Sequence, residues 1–144
     1  MELKDQVVSF EFARKLKELG VQQKSLFAWK MGTVQNGGNI LIRVPERSTL
    51  VQSNLKAEPC LWKSDTWGDH FAAFTVAELG ELLPKKVKKD GYYVATIWFG
   101  EEASYIEYGD REGHRIPLSP IAGSEADARA KMLIYLIENQ LVSL

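Results

Sequence analysis

A chain of 144 residues can bury one hydrophobic core but is too short for two ordinary domains, so a single domain over residues 1–144 is predicted. Apolar residues make up 45% of the chain and charged residues 26%, a balance that excludes an intrinsically disordered protein. The 18 basic and 19 acidic residues nearly cancel, so the chain lacks the basic excess of a dedicated nucleic-acid-binding protein.

The cysteine content and the hydropathy pattern predict a soluble, cytoplasmic protein. Cys60 is the single cysteine, so no disulfide can form within the chain, as expected in a reducing compartment. Its apolar neighbours Pro59 and Leu61 predict a buried structural thiol rather than a nucleophile. Residues 1–8 lack an apolar run of signal-peptide length, and the apolar stretch 132–137 is far shorter than the roughly 20 residues that span a bilayer, so no membrane association is predicted.

A helix and a hairpin are predicted in the first part of the chain. Ser9 is a candidate N-cap, apolar residues follow it at helical spacing, and Gly20 is a typical stop signal. Segments 25–31 and 40–44 are rich in apolar and β-branched residues and are separated by Asn-Gly-Gly-Asn, which favours a tight hairpin turn. Pro45 cannot donate a hydrogen bond to a ladder, so it is predicted to end the second strand.

Residues 45–70 have the weakest periodicity and are predicted to form an irregular connection. Short strands are expected within it, near residues 60–63 and 70–74. A second helix is predicted over residues 75–83, because this segment opens with Thr-Val-Ala-Glu, the pattern of a capping box. The glycine inside this helix lowers its stability by about 1 kcal/mol relative to alanine and indicates close packing against a neighbour.

A second hairpin and a third helix complete the predicted elements. Segments 92–99 and 104–108 carry the aromatic and β-branched residues typical of strands. Ser124 and Asp127 resemble a capping box with Asp in place of Glu, and apolar residues at helical spacing over 126–137 predict a buried helix. Together these elements predict an α+β fold, in which an antiparallel sheet of two hairpins plus one or two middle strands carries three packed helices.

The irregular segment before the second helix holds the candidate binding residues Trp62, Asp65, Trp67, Asp69 and His70. One hypothesis is that Trp67 is at least partly exposed and marks a partner-binding surface, where the polar side chains beside it could orient a ligand. The alternative is that both tryptophans cover the core beneath the loop. Asp65, Asp69 and His70 could also serve a metal-dependent hydrolase, but the sequence has no H-x-x-x-H or C-x-x-C pattern, and we predict neither a metal nor a cofactor.

A second candidate surface is the basic run that follows the second helix. It consists of Lys85, Lys86, Lys88 and Lys89. Two tyrosines come shortly after it, and basic residues combined with aromatics are typical of single-strand nucleic-acid binding. The same composition also suits a solvated connector between a helix and a strand. Nucleic-acid binding is therefore an alternative function that the overall charge balance does not favour.

Three stretches of the chain carry a resemblance to a group of proteins: FARKLKELGV (residues 12–21), FTVAELGELLP (74–84) and EADARAKMLIYLIE (125–138). The chain resembles small proteins encoded in bacteriophage and prophage genomes and in gut bacteria, a group with no established activity. The resemblance implies a phage-related context, in which an accessory role is expected. No catalytic residue can be assigned from this resemblance, because the matching stretches are predicted to be capped amphipathic helices rather than parts of a functional site.

The sequence contains neither a nucleophile set beside a base nor a phosphate-binding loop. The first hypothesis is therefore a non-enzymatic binding or adaptor module that acts on a protein partner. A nucleic-acid-binding accessory protein and a small metal-dependent hydrolase are the alternatives. Residues 101–127 contain seven acids and two arginines. This local excess of negative charge could drive self-association, so assembly into a homo-oligomer is also open.

Overall fold

A computed structural model describes residues 2–36, 40–53, 58–62, 69–87, 92–99, 104–109, 112–113 and 122–143; of residues 33–36, 40–47, 92–99 and 104–105 it describes the backbone alone. The described residues form a 3-10 turn, Leu3–Asp5, and the helices α1 (Phe10–Glu18), α2 (Val76–Leu82) and α3 (Glu125–Glu138). None of these helices is long and apolar enough to cross a bilayer. The strands are β1 (Lys24–Ser25), β2 (Phe27–Asn36), β3 (Ile40–Gln52), β4 (Cys60–Leu61), β5 (His70–Ala72), β6 (Lys86–Val87), β7 (Tyr92–Phe99) and β8 (Ser104–Gly109).

The strands pair as three antiparallel sheets within the described part of the chain. β1 pairs with β4, β2 lies between β3 and β5, and β7 lies between β6 and β8. The predicted α+β class, with antiparallel pairing and three helices, is confirmed. The two predicted hairpins are β2–β3 and β7–β8, but they belong to different sheets. The two short strands expected in the irregular segment are β4 and β5, whereas β6 forms where a basic connector was expected.

Strand β3 continues beyond Pro45, so the prediction that this proline ends the strand was wrong. The register of β2 against β3 shifts between Lys30 and Gly32, and residues 45–48 have no partner in the ladder at this point. Pro45 therefore lies at a bulge, where the ladder does not need the N–H that proline lacks.

The predicted helix boundaries are confirmed where local capping signals exist. Ser9 occupies the N-cap of α1, and Gly20, with a φ of 85°, follows its end in the left-handed conformation. Thr75 and Glu78 form the capping box of α2, with Thr75 N donating to Glu78 Oε2 at 2.8 Å and Glu78 N donating to Thr75 Oγ1 at 3.2 Å. Ser124 Oγ caps α3 by accepting from a backbone N–H at 3.1 Å.

Helix α3 lies in the middle of the hydrophobic core, as the sequence predicted. It contacts α1, α2 and β8. Its buried side chains are Ala126, Ala128, Ala130, Met132, Leu133, Ile134 and Leu136. Leu16 of α1, Leu79 of α2 and Tyr108 of β8 are fully buried beside them, so three elements close around this helix.

Helices α2 and α3 approach closely at Gly80. A Cβ atom on Gly80 would stand 2.8 Å from Nη1 of Arg129, well inside a normal contact. Arg129 is held in this position by Glu125, whose Oε1 accepts from Nε at 2.9 Å and from Nη2 at 2.6 Å. The close packing that was expected from a glycine inside α2 is therefore confirmed.

Candidate functional site

The candidate residues of the irregular segment are partly visible in the structure. Asp65 and Trp67 lie outside the described residues, so the hypothesis of an exposed Trp67 stays a prediction. Trp62 is half-buried and packs against the core, and its indole N–H donates to Ser25 O at 3.0 Å. Its ring stacks on the imidazole of His70 with centroids 5.4 Å apart. The structure thus brings Trp62 and His70 together at the margin of the core.

The backbone carbonyls of His70 and Asp69 both accept hydrogen bonds. Lys17 Nζ donates to the carbonyl of His70 at 3.0 Å, and Asp69 O accepts from Met31 N at 3.2 Å. The Nδ1 atom of His70 is buried and has no hydrogen-bond partner among the residues that the structure describes. Within the described ranges, no three metal-binding side chains come together. The metal-dependent alternative depends on Asp65 and stays a prediction.

The basic run and the cysteine are also partly described. Lys85 and Lys86 are exposed, and Lys86 lies in β6 opposite Tyr93, while Lys88 and Lys89 fall outside the described residues. Cys60 is a free thiol in β4 and is only partly buried, so the expectation of a buried cysteine was wrong. A two-residue strand covers its side chain less fully than a core strand would.

Among the described residues, a groove of about 520 Å³ with an apolar floor lies between α1 and α3, and it is here called the α1–α3 groove. Its floor consists of Phe12 from α1 and of Ile134 and Tyr135 from α3. Ile134 is buried, whereas the two aromatic rings are half-buried and open to the groove. Half-exposed aromatic rings in a concave apolar site are typical anchors for a ligand or partner.

The rim of the α1–α3 groove carries charges of both signs. Its six charged residues are Glu11, Arg14, Lys15, Glu18, Lys131 and Glu138. Arg14 pairs with Glu18 along α1 at 3.0 Å, and Lys15 reaches across to Glu138 of α3 at 2.9 Å. The hydrogen bond from Lys15 to Glu138 raises the pKa of Lys15. The ammonium of Lys131 stands 5.4 Å from the centre of the Phe12 ring.

The two helices of the groove run in the same direction. Residues 9, 12 and 15 of the α1 side meet residues 127, 131 and 138 of the α3 side in that order. Both N-termini therefore lie at one end of the groove, and Glu18 and Glu138, near the two C-termini, lie at the other. The two ends of the α1–α3 groove therefore differ, because helix N-termini form one end and helix C-termini form the other.

Asp127 joins the two helices at their shared N-terminal end. Its Oδ1 accepts from Ser9 N, the N-cap amide of α1, at 2.7 Å. The sequence placed this carboxylate in the capping box of its own helix, where only the hydrogen bond from Asp127 N to Ser124 Oγ forms. Burial raises the pKa of Asp127, and the hydrogen bond from Ser9 opposes that shift.

Substitution of Asp127 tests this link. Asp127→Ala removes the acceptor of a part-buried N–H and should lower the free energy of unfolding by about 1–3 kcal/mol. Asp127→Asn keeps an oxygen for Ser9 N, so its effect should be smaller. Because the folded pKa is raised above the unfolded value of about 3.9, the folded state binds the proton more tightly than the unfolded state does. As the pH falls from the folded pKa of Asp127 towards the unfolded value of about 3.9, the free energy of unfolding of the wild type should therefore rise relative to that of Asp127→Asn. Above the folded pKa this gain in stability is lost.

Urea unfolding of the wild type and both variants, between about pH 7 and pH 4, measures these differences. A wild-type stability that falls relative to Asp127→Asn on acidification would show that attraction to the two helix N-termini outweighs burial.

Glu78 links α2 to the sheets as well as capping its own helix. Its Oε2 accepts from Ser25 Oγ at 2.9 Å, and its Oε1 accepts from Leu26 N at 2.9 Å. Ser25 is fully buried, so its hydroxyl cannot turn to water instead. This carboxylate therefore holds the start of α2 against the junction of β1 and β2. It also borders a second cavity, of about 400 Å³.

Comparisons of the chain with protein-family models, with curated proteins and with solved structures gave no match. A functional proposal for this chain therefore depends on the geometry of the described residues.

Sequence reasoning missed the α1–α3 groove. The helical spacing of apolar residues places Phe12 on the apolar face of the first helix, and it does not distinguish Ile134 or Tyr135 from the rest of the third. The signal in the sequence was that apolar residues cover more of the surface of α1 and α3 than the single stripe that faces the core. Such a wide apolar surface is typical of a helix with a second contact face. The pattern alone cannot tell whether such extra residues meet each other, another helix or a partner.

Proposed function

We propose that this protein is a non-enzymatic binding or adaptor module that takes a segment of a protein partner into the α1–α3 groove. The observation that carries the proposal is the apolar floor with two half-buried aromatic rings, Phe12 and Tyr135, inside a charged rim. Aromatic anchors surrounded by polar residues that exclude water are the usual arrangement of a protein–protein hot spot.

The charges of the rim favour a protein over a nucleic acid. Three acidic and three basic side chains surround the groove, so its formal charge is zero. A nucleic-acid backbone is bound mainly by neutralising its phosphates, which requires a clear basic excess. A protein segment with apolar side chains and few net charges suits this rim better.

The test uses the chain as bait in an extract of its native host, followed by calorimetry with the purified partner. Combining Phe12→Ala with Tyr135→Ala should weaken the complex at least tenfold, because the aromatic anchors are lost. Leu82→Ala is the matched control, since Leu82 is an exposed apolar residue of α2 outside the groove. A partner that binds both variants as well as the wild type would contradict the proposal.

The nucleic-acid alternative has its own test in the basic run. Replacing Lys85, Lys86, Lys88 and Lys89 by Gln should change the free energy of unfolding by no more than about 0.5 kcal/mol, because exposed charges contribute little. We expect no salt-dependent mobility shift of single-stranded DNA with the wild type at physiological salt. Binding by the wild type that the variant loses would put the nucleic-acid function ahead of the adaptor.

The cellular context follows from the sequence resemblance. We propose a cytoplasmic accessory role in a phage or prophage setting, which agrees with a single unpaired cysteine. Identification of the captured partner as a phage or prophage product, or as a host protein that such a product modifies, would support this context.

A further inference from the structure

We draw no further inference here: the strongest candidate, the cavity of about 400 Å³ between β1 and α2, carries no proposal, because its Glu78 carboxylate is taken up by hydrogen bonds within the fold and nothing in the described part of the chain shows what covers the cavity.

Discussion

Leu133→Ala should lower the free energy of unfolding by about 2–5 kcal/mol, the range for truncating a fully buried leucine. Leu133 is 1% exposed and belongs to α3, which contacts α1, α2 and β8. Removal of this fully buried side chain leaves a cavity in a close-packed core, so little relaxation is expected. The change is measured by urea or guanidinium unfolding with a constant slope against denaturant.

Leu82→Ala is the matched control for this substitution. The same atoms are removed from a leucine that is 38% exposed at the end of α2, so less apolar area is lost and no closed cavity forms. We expect well under half of the effect of Leu133→Ala. Equal effects at the two positions would mean that α3 is a peripheral helix and that the α1–α3 groove lacks a rigid floor.

Glu78→Ala should lower the free energy of unfolding by about 2 kcal/mol or more, because the backbone N–H groups of Leu26 and Thr75 lose their acceptor at once. The hydroxyl of Ser25 keeps only its longer hydrogen bond to Ala73 O, at 3.3 Å. Each buried donor that is left unpaired costs about 1–3 kcal/mol, and partial access to water reduces the sum. The capping box of α2 is lost as well.

Two further variants distinguish the effect of losing the Glu78 carboxylate from the effect of replacing any acid on α2. Glu81→Ala removes an exposed acid from the same helix and should change stability by no more than about 0.5 kcal/mol. Glu78→Gln keeps one acceptor oxygen but turns an NH₂ group towards donors, so it should remain clearly destabilising. A result for Glu78→Ala no larger than that for Glu81→Ala would show that Ser25 and the two amides find other partners.

The Leu133 prediction concerns the support of the α1–α3 groove rather than its surface. Leu133 precedes Ile134 and Tyr135 directly, so the same turn of α3 that is buried in the core also presents the floor. A binding surface on a rigid helix loses little conformational entropy when it binds. The adaptor proposal therefore agrees with a site placed on the most buried helix of the fold.

Sequence alone determined the elements whose signals are local. The limits of α1 and α2 follow from Ser9, Gly20 and the Thr75–Glu78 box, because a cap acts within about four residues of the chain. The burial of α3 follows from its apolar spacing. Trp62, which follows β4, and His70 in β5 stack on each other, while the binding site proposed for them stays a prediction.

The tertiary structure alone decided the features that join distant residues. Strand β3 passes Pro45 because its partner β2 tolerates a bulge there, which no local pattern of β3 reveals. Asp127 could cap its own helix or another one, and only the side-by-side packing of α1 and α3 brings Ser9 N within 2.7 Å of its carboxylate. The α1–α3 groove exists for the same reason. An apolar stripe predicts that one face of a helix will be covered. The packing of the other helices decides which residues cover that face and which apolar surface stays exposed.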